Sequence, residues 1–248
     1  MSKQSGLGDA LYIAGYDLSG DIGAVNAIGG GPAALELTGI DKAAFERIGG
    51  LRDGRIDYTA FFNPATDRAH DRLSLLPTSD VIISYFRGTT LGGASANLVA
   101  KQLNHDGTRA DDGAFTFVGS NPGNGFGLEW GTSMTAGKRT DSTATNGTSV
   151  DFGTGSTSFG LQAYLHVFAF TGTSVTVKLQ ESSDNGAGDA WADVTGGGFT
   201  AATGITSQRI ETARNLTVER YLRVVTTGTF SNAVFAVSVN RNDVATSF

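Results

Sequence analysis

Apolar and polar residues alternate with a period of two along most of this chain. Ile56, Tyr58, Ala60 and Phe62 point one way and Arg55, Asp57, Thr59 and Phe61 the other, the pattern of a half-buried strand. Leu161, Ala163, Leu165, Val167 and Ala169 line one face of a later strand. Val175, Val177 and Leu179 line another, opposite Thr176, Lys178 and Gln180. Leu222 and Val224 alternate with Tyr221, Arg223 and Val225, and Phe235, Val237 and Val239 close the series. Val81–Arg87, Leu98–Leu103, Ala114–Val118 and Phe126–Thr132 add further strands. Gly172, Asn185-Gly186, Gly196-Gly197-Gly198 and Gly228 read as turns that separate the later ones.

One stretch breaks the pattern. Thr38 with Asp41 three residues on is a helix-start signature, a hydroxyl to cap a free N–H and a carboxylate at the positive end of the dipole. Ala43, Ala44 and Glu46 favour helix, Phe45 and Ile48 supply an apolar edge, and Gly49-Gly50 stops it. The expectation is a strand over Ala33–Leu37, a short amphipathic helix to Ile48, a turn at Asp53-Gly54 and a strand to Phe62. Asn63-Pro64 ends that strand, and Asp67–Leu76 reads as a second helical turn carrying Leu73 and Leu76.

The fold class that follows is mainly β. It comprises an N-terminal β-sandwich or barrel domain with one packed α-helix, and a C-terminal β-sandwich domain. Residues 1–32 are rich in Gly and Asp and read as an extended arm or an edge strand. Residues 133–158 hold almost no large apolar side chains and read as a linker or long loop. The domain boundary is therefore placed near residue 150, giving domains over 1–150 and 151–248.

Composition narrows the function. With 35 Gly, four Pro and 40% hydrophobic residues in 248, the chain suits many short strands and can bury a real core. The net charge of −6 is spread over both halves: 12 basic against 16 acidic residues up to 150, and 6 against 8 beyond. Neither half is a basic patch that would hold nucleic acid. The absence of cysteine removes disulfides, thiolate metal sites and thiol nucleophiles. MSKQSGLGDA has no apolar core after its Lys and no run approaches the roughly 20 residues of a membrane span, so synthesis in a cytoplasm without membrane insertion is expected.

Candidate chemistry is sparse, and no cofactor, metal or catalytic residue is expected. His70, His105 and His166 lie far apart in sequence without zinc spacing, and no G-x-S-x-G elbow is present. His166 falls on the polar side of its strand, as a surface or interface residue. Gly29-Gly30-Gly31-Pro32 lacks the Lys and Ser/Thr of a phosphate loop. Asp184-Asn185-Gly186-Ala187-Gly188-Asp189 has oxygens that suit calcium but reads better as a hairpin connection. Asp111-Asp112 before a Gly reads as a solvated turn. Trp191 after a Gly-rich turn is a candidate for glycan contact, against the plainer role of covering one end of a sandwich core.

Four blocks in order carry a resemblance: SKQSGLGDALYIAGYDLSGDIG, LTGIDKAAFERIGGLRDGRIDYTAFFNP, VAKQLNHDGTRADDGAFTFV and GLEWGTSMTAGKRTD. Together they resemble the major tail tube proteins of long-tailed bacteriophages, nearest to those of actinobacterial phages, over most of residues 1–140. The resemblance implies a tail-tube-type domain, with the helix packed outside its sheet. It implies a structural virion protein, assembled in the host bacterial cytoplasm, whose hexameric rings stack into a tube through which double-stranded DNA passes. Its partners would be further copies of itself and other phage tail proteins. Arg47, Arg52, Asp53 and Arg55 become candidate assembly residues and Asp57 a candidate lumen-facing one. The segment LQESSDNGAGDAWADVTGG is similar to accessory C-terminal domains of phage tail proteins, which implies an outer decoration domain. The alternatives are a head decoration or tail-tip protein and a carbohydrate-binding β-sandwich module.

Overall fold

The computed structural model describes residues 5–246; the first four residues of the expected arm and the last two of the chain lie outside it. The chain is mainly β. In order run β1 (Ala10–Ile13), β2 (Tyr16–Asp17), a 3-10 turn (Ser19–Asp21), β3 (Ile22–Glu36), β4 (Arg47–Phe61), α1 (Ala69–Leu73), β5 (Val81–Phe86), β6 (Ala94–Ala100), β7 (Asp106–Arg109), β8 (Phe115–Gly119) and β9 (Glu129–Ser133). They are followed by β10 (Arg139–Asp141), β11 (Val150–Asp151), β12 (Leu161–Ser182), β13 (Ala192–Gly198), β14 (Thr206–Glu211) and β15 (Tyr221–Arg241).

Two sheets result. The larger has eleven strands and runs β13-β12-β15-β9-β6-β5-β1-β2, with β10 and β11 also on β15 and β14 on β12. The smaller has four, in the order β3-β4-β8-β7. One apolar core lies between the small sheet and β1, β5 and β6, built from Leu11, Ile13, Ile56, Tyr58, Ala60, Ile83 and Leu98. A second is built on β12 and β15 from Leu161, Leu165, Val177, Leu179, Leu222, Phe235 and Val237. Each core draws mainly on one half of the chain, yet the large sheet runs through both halves.

The expected helix over 38–48 is absent. Residues 37–46 form an exposed loop between β3 and β4, and Ile48 pairs with Leu35 inside a long hairpin. Thr38 does not cap a helix; its hydroxyl accepts the N–H of Glu46 across the loop. A helix of about ten residues is marginal without a surface to bury its apolar edge, whereas the two flanking strands satisfy each other's backbone. Asp53-Gly54 is likewise no turn but the middle of β4, where Gly54 is buried. The one α-helix of the described residues lies within the second predicted segment, where Ala69 and Leu73 enter the first core. Its start is fixed by buried Asp21, whose carboxylate accepts the N–H of Ala69 (3.1 Å) and the guanidinium of Arg68 (2.8 Å).

The expected arm over 1–32 divides: Leu11 and Ile13 of β1 are core residues, and β3 is an edge strand. In the stretch read as a linker, β10 and β11 pair with β15, and Met134 and Val150 enter the second core. Gly172 and Gly228 are not turns. They lie inside two continuous strands, β12 and β15, whose pairing slips between Val167 and Ala169 and again around Gly172; Gly228 sits just past the second slip, paired with Val175. The slip moves Phe170, rather than Ala169, onto the core face. Asn185 and Gly186, with φ of 64° and 80°, do make the expected turn between β12 and β13.

Candidate assembly interface

The β3–β4 hairpin is the most unusual surface feature. Its inner half is held by the core through Ile22, Val25, Ile28, Ile56, Tyr58 and Ala60. The grip ends at Gly54, whose carbonyl accepts the N–H of Gly123 at 2.6 Å. A side chain at Gly54 would press within 2.5 Å of the Leu128 backbone, so only glycine allows the ribbon to pass there. Past Asp53 and Arg52, which still bond Leu128, the two strands have only each other. The outer part and its loop expose Leu35, Leu37, Ile40, Phe45, Ile48 and Leu51, with Ile40 fully in solvent and Leu51 89% exposed. A lone two-stranded ribbon is at best marginally stable in water, and so large an apolar surface on it marks a contact site.

The candidate residues on β4 fall at different depths of this ribbon. Arg47 is exposed at the far end and lies over the Phe45 ring at 4.6 Å. Arg52 sits at the exit from the core, donating to the Leu128 carbonyl at 3.3 Å. Asp53 accepts the N–H of Gly54 at 2.7 Å and is otherwise open to solvent. Arg55 is exposed and lies 4.0 Å from the carboxylate of Asp57. Asp57 is half-buried and accepts the N–H of Asn121 at 2.9 Å.

Alternation places Asp53, Arg55, Asp57, Thr59 and Phe61 on the face of the small sheet turned away from the core, opposite buried Gly54, Ile56, Tyr58 and Ala60. Cross-strand pairing adds Val118 and Thr116 of β8 and Asp106 and Thr108 of β7 to that face. Asn26 bridges to Thr59 at 2.9 Å. Three carboxylates and one guanidinium leave the face acidic. Both borders of this sheet are open: among the described residues β3 pairs only with β4, and β7 only with β8. All four residues of β7 are exposed.

The histidines hold a surprise. His70 and His105, separated in sequence, meet at 3.1 Å between Nδ1 and Nε2 inside an aromatic cluster of Phe62, Phe115 and Phe117. Burial, and next His70 beside it, push the His105 imidazole below its usual range against the opposing pull of Asp106. No sequence spacing announces this pair; it depends on β8 carrying Phe117 beneath both rings. His166 is not a surface residue but is wholly buried, between β12 and β5 of the large sheet. Its Nδ1 accepts the N–H of Gly15 at 3.2 Å, so Nε2 carries the proton and donates to Ser84 Oγ at 2.9 Å.

The other candidates stay apart from the hairpin. Trp191 is half-buried, with Arg223 over its ring at 4.4 Å and Gly186 against its edge. In the acidic loop the Asp184 carboxylate accepts the N–H groups of Ala187, Gly188 and Asp189, which is the bonding of a hairpin connection. Asp112 accepts the N–H of Ala114 in its turn. Among the described residues no three His, Cys, Asp or Glu side chains group around a common point, and no helix is long and apolar enough to cross a membrane.

Comparison with protein-family models and with curated proteins finds no match. Among solved structures, the chain is similar to a component of the virion of a native gene transfer agent particle, with a TM-score of 0.42 and 14% identity over 52% of this chain and 98% of that one. It is also similar to the Dit protein of phage SPP1, described as a paradigm of the hub adsorption apparatus in phages infecting Gram-positive bacteria. There the TM-score is 0.33 and identity 13% over 94% of this chain and 99% of that one. A component of the phage p2 baseplate in its activated, strontium-bound conformation gives a TM-score of 0.33 and 9% identity over 96% and 99% of the two chains.

Proposed function

We propose that this chain is a structural subunit of a phage tail tube, in which copies join side by side into rings, hexameric by the resemblance of its first half, and the rings stack. The observation that carries this reading is the small sheet open at both borders. A sheet with unpaired N–H and C=O groups along β3 and β7 is a template for further strands. Joining β7 of one copy to β3 of the next would remove both free edges and close a barrel. The acidic outer face, with Asp53, Asp57 and Asp106, would then line a lumen that repels phosphate and lets duplex DNA slide. The apolar hairpin end would lie against a neighbouring ring, with Arg47 and Arg52 near the contact. The C-terminal core would sit outside the tube as decoration.

Negative-stain electron microscopy of the purified chain at increasing concentration tests the reading. Rings or tubes with a central hole are expected. Compact monomers at every concentration, with the hairpin protected from proteolysis, would overturn it.

A further inference from the structure

Both cores lie on the same face of the eleven-stranded sheet. Ala96 and Leu98 of β6 belong to the first and Val237 and Val239 of β15 to the second. β9 runs between these strands, and its residue Trp130 stands directly opposite Ala96. Ala96 is wholly buried, yet Trp130 is 55% exposed. The indole therefore stands in the gap between the two cores and packs into neither.

That gap is a cleft of about 390 Å³, whose lining includes Trp130, Thr132, Asp151, Phe152 and Asp243. Its size lies within the range of roughly 300–1,000 Å³ common for small-molecule sites. Its polar groups are held in place. Arg220 grips both oxygens of Asp151 at 2.7 Å, and Arg241 holds Asp243 at 3.1 Å. Arg241 is fixed in turn by the carbonyls of Gly155 and Glu219 and lies over the Phe152 ring. The hydroxyl of Thr132 takes no hydrogen-bond partner among the described residues. The cleft thus presents one exposed aromatic face, oriented carboxylate acceptors and a free hydroxyl, all on strands or anchored loops.

We propose that this cleft binds a neutral carbohydrate. One pyranose would stack its C–H face on the Trp130 indole, donate hydroxyl hydrogen bonds to Asp151 and Asp243, and exchange one with Thr132. The carboxylates disfavour a nucleotide or any other phosphate-bearing ring, and a single aromatic face gives too little apolar area for a protein helix. This inference does not rest on the assembly reading, since the cleft lies within one copy.

The chain has two tryptophans, which makes fluorescence a direct probe. Trp191→Phe leaves Trp130 as the sole reporter. That variant would be titrated with glucose, galactose, mannose, N-acetylglucosamine and their short oligomers. A saturable change in emission with at least one sugar is expected, half-complete at about 0.1–10 mM, as suits a single stacked ring and few hydrogen bonds. Asp151→Asn with Asp243→Asn should weaken it at least tenfold, and calorimetry on Trp130→Ala should give no heat of binding. Because Trp130 is exposed, Trp130→Ala should melt with the parent. The proposal fails if no sugar changes the emission. It also fails if only Trp130→Phe, reporting through Trp191, responds, or if Trp130→Ala still binds.

Discussion

The Nε2 of His166 donates to the Ser84 hydroxyl at 2.9 Å and thereby joins β12, from the C-terminal half, to β5, from the N-terminal half. His166 is wholly enclosed, and burial pushes its imidazole down to about 3. An unfolded histidine titrates near 6.5. Between these values the unfolded chain takes up a proton that the folded chain refuses, so stability falls as pH drops below about 6.5 and the loss is complete near 3. By pH 5 this one group should cost about 2 kcal/mol. His105, also pushed down, adds in the same direction. Urea midpoints at pH 7 and pH 5 check this, and His166→Gln should flatten the difference.

A second contact between the halves is ionic. Arg209 Nη2 meets Glu129 at 2.8 Å with both groups nearly out of solvent, and the Tyr164 hydroxyl donates to the other Glu129 oxygen at 2.6 Å. Removing one partner strands a charge. Glu129→Ala alone should cost about 3–5 kcal/mol. Glu129→Leu with Arg209→Met should cost clearly less than the two single changes summed. Equilibrium unfolding of the four proteins in the cycle measures the difference.

Gly228 has a φ of 120°, and a Cβ there would lie 2.4 Å from the Ser174 carbonyl oxygen. Gly228→Ala should destabilise by about 2–4 kcal/mol through overlap and backbone strain together. Gly204→Ala, with nothing within 4 Å of the added methyl, should change little. Thermal melts of both proteins decide whether this close strand contact or glycine content as such matters.

The hairpin end offers the sharpest separation of folding from assembly. Ile40 and Leu51 touch little in a single copy. Ile40→Ser with Leu51→Ser should leave monomer stability within about 0.5 kcal/mol, as surface changes do. The same pair should abolish or strongly delay particle formation in sedimentation and microscopy. Unaltered assembly would remove the hairpin from the contact.

If the outer face of the small sheet lines a channel, its charge is testable in assembled particles. Asp53→Lys with Asp106→Lys turns an acidic face basic. Parent particles should not retain short duplex DNA, whereas the variant should, with binding that falls steeply as salt rises. Equal retention by both would argue that this face does not meet DNA.

Some of this architecture was legible in the residues alone. Period-two alternation identified the core faces of β4, β12 and β15, because successive side chains of a strand point to opposite faces and those of one face recur at every second residue. Asn185-Gly186 announced its turn because φ above zero suits those residues. Gly172 and Gly228 sent the same signal for another reason, the close approach of the partner strand's backbone beside a bulge. The helix expected at Thr38–Ile48 rested on propensity, which long-range pairing of β3 with β4 overrode.

What the sequence settled by itself was the class of the molecule: many strands, two apolar sets, no thiol chemistry and an acidic balance. These follow from composition and local period, which each residue carries wherever it ends up. Tertiary structure alone decided which strands are neighbours, that β3 and β7 are left as open borders, that His70 meets His105, and that Trp130 stands in a cleft while Trp191 is half covered by Arg223. Those facts arise from pairing between segments distant in the chain, and local pattern holds no record of a partner's identity.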